Sequence, residues 1–151
     1  MSGLKPILLA EDNPRDAELT IEALSDNKLA NRVIHVRDGV ETLEYLRCQG
    51  KYSGRKPGNP AVLFLDIKMP RMDGIEVLRA IRADAALKML PVVMLTSSRE
   101  EQDLIKSYEL GSNAYVVKPV VFIEFVAAVK QLGVFWAMLN EQPPEGVTSH
   151  E

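Results

Sequence analysis

The sequence is poor in the residues on which most small catalytic domains depend. Its 151 residues include one cysteine, Cys48, and two histidines, His35 and His150. A single thiol permits no internal disulfide and fits a reducing compartment, so the expected location is cytoplasmic. His35 falls inside an apolar run and His150 among the last residues, so no Ser-His-Asp or Cys-His constellation is legible. The chain has no G-x-G-x-x-G and no G-x-x-x-x-G-K-S/T motif, which excludes the glycine-rich cradles that hold dinucleotide and nucleotide phosphates. Charge of one sign is also scarce. With 18 basic and 21 acidic side chains, the net charge is -3, which argues against a nucleic-acid binder working by bulk electrostatics. The opening residues lack the long apolar stretch and cleavage site of a secretory leader. One domain typically takes about 100–150 residues, so a separate output domain is expected to be missing.

What the chain does have is a regular alternation of short β-branched runs and helical patterns, the signature of a parallel sheet wrapped by helices. Five apolar runs predict buried strands at Ile7–Ala10, Arg32–Val36, Ala61–Leu65, Val92–Leu95 and Ala114–Val117. Their continuous rather than alternating character predicts helices on both sheet faces. Helix starts are marked at Asn13-Pro14, and at Asp38, Asp73 and Ser98, each of the last three followed three residues on by Glu. Gly111 is expected to stop the fourth helix after Leu110, and residues 49–60 to form a long loop in which Lys51, Arg55 and Lys56 are solvated. The reading is a single doubly wound α/β domain of (βα)5 form over 1–140, with a flexible tail at 141–151.

Ligands of an open parallel sheet gather at the carboxyl ends of its strands. Those ends carry Glu11 and Asp12 after the first strand, Asp66 at the third, Thr96 at the fourth and Lys118-Pro119 after the fifth. Three ionised carboxylates brought together repel one another and call for a cation. An all-oxygen ligand set selects a hard ion, and Mg2+ suits two or three carboxylates plus waters.

Those residues, in that order and spacing, resemble the receiver domain of two-component response regulators. The match includes the acidic pair Glu11-Asp12 and the acceptor motif Leu65-Asp66-Ile67-Lys68-Met69-Pro70-x-Met72-Asp73-Gly74. It continues through Met94-Leu95-Thr96-Ser97-Ser98 to Gly111-Ser112-Asn113-Ala114-Tyr115-Val116-Val117-Lys118-Pro119, covering about residues 6–132. Glu11 replaces the shorter acid often found first in the pair. Within the family the chain is most similar to stand-alone regulators that partner bacterial phytochromes, on the basic loop before the third strand and the Phe135-Trp136 region.

The resemblance implies a flavodoxin-like sheet of order 2-1-3-4-5 and a phosphoryl group accepted on Asp66 from a sensor histidine kinase. It implies Mg2+ held by Glu11, Asp12, Asp66 and the backbone carbonyl of Lys68, with Lys118 and Thr96 on phosphoryl oxygens and a cis bond before Pro119. Thr96 and Tyr115 would be the switch pair. Lys68 and Ser98 would occupy the positions that tune loss of the phosphoryl group. The chain would act as a signalling switch rather than an enzyme, speaking to an unidentified downstream protein through protein–protein contacts. Two rival readings stand beside this one. An aspartate-nucleophile phosphohydrolase is disfavoured because Lys68 stands where a second Asp is wanted; a phosphorylation-independent scaffold is disfavoured by the complete residue set.

From Val120 to Leu139 only Glu124, Lys130 and Gln131 are strongly polar. A membrane span is disfavoured, since one central Lys costs ~2.5–3.5 kcal/mol. On a helical wheel Phe122, Phe125, Val129, Leu132 and Trp136 share one face, while Ile123, Ala127 and Val134 lie opposite. That second apolar strip predicts burial against another copy, a homodimer through the fourth-helix, fifth-strand and fifth-helix face, or else cover by the tail.

Overall fold

The computed structural model describes residues 5–25, 32–111 and 113–133. Five parallel strands, β1 (Ile7–Ala10), β2 (Val33–Val36), β3 (Val62–Asp66), β4 (Val92–Thr96) and β5 (Ala114–Val117), form one sheet of order β2-β1-β3-β4-β5. The helices are α1 (Pro14–Ser25), α2 (Gly39–Arg47), α3 (Gly74–Ala83), α4 (Arg99–Lys106) and α5 (Phe122–Gln131). Strand order reverses at β1, so β1 and β3 lie side by side and their carboxyl ends form the crevice where such sheets bind ligands.

The alternation of strand side chains divides the core in two. Leu8, Ala10, Leu63, Leu65, Val92 and Met94 face α2, α3 and α4, meeting Leu43, Leu46, Val77, Leu78, Ile81 and Ile105. Ile7, Leu9, Val62, Phe64, Val93 and Leu95 face α1 and α5, meeting Ala17, Leu24, Phe125, Ala128 and Val129. Phe64 and Phe125, both fully buried, bring their ring centroids to 5.3 Å across that second layer. Each such burial is worth about 1.5–3 kcal/mol relative to exposure. The central strands β1, β3 and β4 are buried along their whole length, which is why they read as continuous apolar runs.

The helix starts follow their capping residues, with one refinement. Asn13 Oδ1 accepts from the Arg15 and Asp16 amides at the start of α1. Asp73 and Glu76 form a complete reciprocal capping box on α3. At α2 and α4 the caps Asp38 and Ser98 accept from the N3 amides of Glu41 and Glu101, but the returning carboxylates bond one residue earlier, to the Arg37 and Ser97 amides.

Three expectations are corrected. Helix α4 ends at Lys106 and not after Leu110, because the Ser107 hydroxyl donates to the Leu104 carbonyl and Glu109 takes φ 53, before Gly111 at φ 87. The loop after α2 contains a 3-10 turn at Gly50–Tyr52. Of its basic residues Lys51 and Lys56 are exposed as expected, Lys51 pairing with Glu41 at 2.9 Å, but Arg55 stacks on the Tyr45 ring at 4.0 Å and donates to the carbonyls of Tyr45, Lys56 and Gly58. On α5, Phe125 and Val129 are buried, Phe122 and Leu132 pack against them, and Ile123 is 79% exposed. Val134, Phe135, Trp136, the boundary at 140, the tail with His150, and Ser112 lie outside the described residues. Among the described residues no helix is long and apolar enough to cross a membrane.

Candidate functional site: a carboxylate cluster at the strand ends

Each side chain of the site is delivered by the end of a strand. Glu11 directly follows β1 and is fully buried; Asp12, next to it, is exposed. Asp66 is the last residue of β3 and Thr96 the last of β4, both buried. The three acids offer carboxylate oxygens that all lie within 4.8 Å of one another. On the far side of β1, His35 of β2 donates from Nε2 to the Glu11 backbone carbonyl at 2.8 Å, which places it as a strand-end brace and not a base.

Asp66 is held asymmetrically. Its Oδ1 accepts from the Ile67 amide at 2.8 Å, whereas Oδ2 faces Lys118 Nζ at 3.3 Å. Lys118 follows β5, its amide fixed to the Thr96 carbonyl at 2.8 Å, and the Lys118–Pro119 peptide bond is cis. The same Nζ reaches Glu11 Oε1 at 3.2 Å and Asp16 Oδ2 at 3.1 Å. Asp16 was not singled out from the sequence as a site residue. The available signal was an acid in the first turn of the helix that follows the acidic pair, on the sheet face shared with α5.

The electrostatics record the crowding. Burial, reinforced by the neighbouring Asp66 carboxyl, pushes the Glu11 carboxyl up to about 7 despite the opposing pull of Lys118 and the Asn13 amide. Burial works against the Lys118 ammonium, but Asp66, Asp16 and Glu11 outweigh it and hold the group above its ordinary range. A buried carboxyl raised first by burial and then by a neighbouring carboxyl gains from positive charge beside it, and the all-oxygen donor set fits a hard divalent ion.

The remaining predicted residues surround this cluster. Thr96 donates its hydroxyl to the Val116 carbonyl of β5 at 3.4 Å. Tyr115 is half-buried, with Lys106 Nζ 5.2 Å from its ring centroid, and burial pushes its phenol up. Ser98 spends its hydroxyl on the α4 cap. Lys68 is exposed and its Nζ lies 3.8 Å from Glu101 Oε2, a loose bridge between the loop after β3 and the start of α4.

A model of the response regulator receiver domain family matches residues 7–130. The chain belongs to that family. This receiver is 59% identical to the bacteriophytochrome response regulator RtBRR, with a TM-score of 0.86 over 95% of this chain and 86% of that one. It is 58% identical to the bacteriophytochrome response regulator AtBRR, with a TM-score of 0.88 over 93% and 100%. Response regulator Rcp1 of Synechocystis sp. is 37% identical over 132 residues, 87% of this receiver and 88% of Rcp1. The crystal structure of the Mn(2+)-bound form of Rcp1 superposes with a TM-score of 0.69 over 95% of this receiver and 97% of that chain, at 36% identity. The receiver is a response regulator of two-component signalling, with an acidic cluster at the place where the family binds its divalent cation.

Proposed function

We propose that this receiver accepts a phosphoryl group on Asp66 from a phosphohistidine of a sensor kinase of the phytochrome type, and signals by phosphorylation-dependent protein–protein contacts. The observation that carries the reading is the asymmetric hold on Asp66. With Oδ1 tied to the Ile67 amide, Oδ2 is the oxygen left to react, and it faces the Lys118 ammonium. Oδ2 attacks phosphorus, the P–N bond breaks, and its electron pair returns to the imidazole. Water attack on phosphorus later releases inorganic phosphate and restores the carboxylate.

Such transfers are catalysed by positioning and charge neutralisation. Glu11, Asp12, Asp66 and the Lys68 carbonyl would hold Mg2+, which would supply positive charge to offset the clustered carboxylates and the incoming phosphoryl group. Lys118 supplies a mobile point charge. The Thr96 hydroxyl, on a long bond to Val116, would turn to a phosphoryl oxygen, and Tyr115 would rotate into the space it leaves. Lys68 and Ser98, two residues beyond Asp66 and Thr96, would act on the rate of phosphoryl loss, as the likeness to the receiver family implies. The kinase class is supported by the likeness to two bacteriophytochrome response regulators. A homodimer through α4, β5 and α5 is supported by Ile123 and Leu104, exposed by 79% and 52% on those helices.

Intact mass measurement after incubation with a small phosphodonor tests the reading. One labile adduct is expected with Mg2+, none in Asp66→Asn and none after chelation. No adduct under any donor would favour a phosphorylation-independent scaffold, and steady turnover of many donor equivalents a phosphohydrolase. Elution as a monomer with and without phosphorylation would count against the dimer.

A further inference from the structure

An ammonium has three N–H donors, and all three of Lys118 are spent: on Glu11, on Asp66 and, at the shortest distance of 3.1 Å, on Asp16. Two of these acceptors belong to the cluster at the strand ends. Asp16 does not. It stands in the first turn of α1, and beside it Leu19, Thr20, Pro119 and Val120 line a cavity of about 240 Å3 that opens on the flank of Lys118.

We propose that Asp16 is a positioning residue that sets how readily Asp66 takes and keeps a phosphoryl group, by competing with that group for the Lys118 ammonium. The proposal rests on the reading of Asp66 as the phospho-acceptor. Once Oδ2 becomes the bridging oxygen of an acyl phosphate it gives up its charge, and roughly −1.5 to −2 appears on the phosphoryl oxygens beyond it. Lys118 must then turn the N–H that faced Oδ2 outward and follow the charge, and of its two remaining contacts, to Glu11 and to Asp16, one must stretch.

Glu11 is fully buried and has no water to take the place of Lys118. The Asp16 side chain is 37% exposed, so water solvates its carboxylate as the ammonium leaves. The contact to Asp16 is therefore the one that gives way, and its strength opposes the phosphorylated state. The Asp16 main chain is independently anchored by the Asn13 cap, so changing the side chain leaves the helix start in place.

The test uses beryllofluoride, a phosphoryl mimic, titrated at saturating Mg2+ and followed by 19F NMR. Asp16→Asn and Asp16→Ser are each expected to bind it about 3- to 5-fold more tightly than the parent, the size of a partly exposed ion pair. Asp16→Glu, which restores the charge, is expected to return toward the parent affinity. Unfolding midpoints within error of the parent exclude a general structural effect. Unchanged or weaker binding in the Asn and Ser variants overturns the proposal. Failure of the parent itself to bind beryllofluoride is a different result, and it overturns the phospho-acceptor reading instead.

Discussion

Glu11 and Glu41 are both buried glutamates near strand ends, and their carboxyls shift in opposite directions. Glu11 is pushed up to about 7 by burial and by Asp66. Burial also acts on Glu41, but hydrogen bonds from the Tyr52 hydroxyl, the Arg37 amide and Lys51 overcome it and hold the carboxyl below its usual value. The difference lies in the donors. Glu41 receives Tyr52 at 2.7 Å, Arg37 at 2.9 Å and Lys51 at 2.9 Å, whereas among the described residues Glu11 has the Asn13 amide and a share of Lys118, both at 3.2 Å, while facing another carboxylate. A buried acid with its donors in place is a finished structural bond. A buried acid short of donors is a place prepared for a ligand.

The largest effect should come from breaking the finished bond. Glu41→Ala leaves the Tyr52 hydroxyl and the Arg37 amide without their acceptor, at a cost of about 3 kcal/mol, read by chemical denaturation; a loss under ~1 kcal/mol would show that the network does not hold α2 to the 3-10 turn. At Glu11 the contrast reverses. Glu11→Gln should weaken Mg2+ binding by at least ~10-fold, followed by tyrosine or tryptophan fluorescence, while the metal-free protein unfolds no earlier than the parent because a repulsion has been removed. A metal-free protein clearly destabilised by that change would put Glu11 in the same class as Glu41.

The smallest effect is at Tyr52→Phe, which should cost about 1 kcal/mol and carry a pH signature. An acid held below its usual value stabilises the fold above the unfolded value of 4.5, and that stabilisation fades as pH falls through the lower folded value. The gap between Tyr52→Phe and parent should therefore be full at neutral pH and shrink in acid. A gap independent of pH would remove the hydroxyl from the account of Glu41.

The two regions were not equally legible in sequence. Glu11, Asp12, Asp66, Thr96 and Lys118 could be placed because they close apolar strands, and a doubly wound topology brings strand ends together whatever the packing detail. Asp16 was missed because its partner is 102 residues away and meets it only in the folded sheet, where the residue after β5 reaches the first turn of α1. The same limit applies around Glu41. The spacing Asp38 to Glu41 announced a helix cap, but Tyr52 and Lys51 reach the glutamate through a turn whose sequence reads as open loop. Arg55 looked like a surface charge because nothing local shows that Tyr45 offers it a ring and a carbonyl. Strand termini and caps are local facts; the partners of long polar side chains are tertiary ones.

The loop after Asp66 is pinned at both ends by glycines. A Cβ at Gly39 would collide with the Met72 carbonyl, and one at Gly74 with the Asp66 carbonyl, while Arg71, at φ 66, grips the α2 cap Asp38 at 2.9 and 3.1 Å. Helix α4, by contrast, buries a single residue, Ile105. In mechanical terms the molecule has a stiff mounting on one side of Asp66 and a compliant one on the other. If Asp66 is phosphorylated as proposed, the flank with room to respond is α4, which holds to the sheet by one buried side chain.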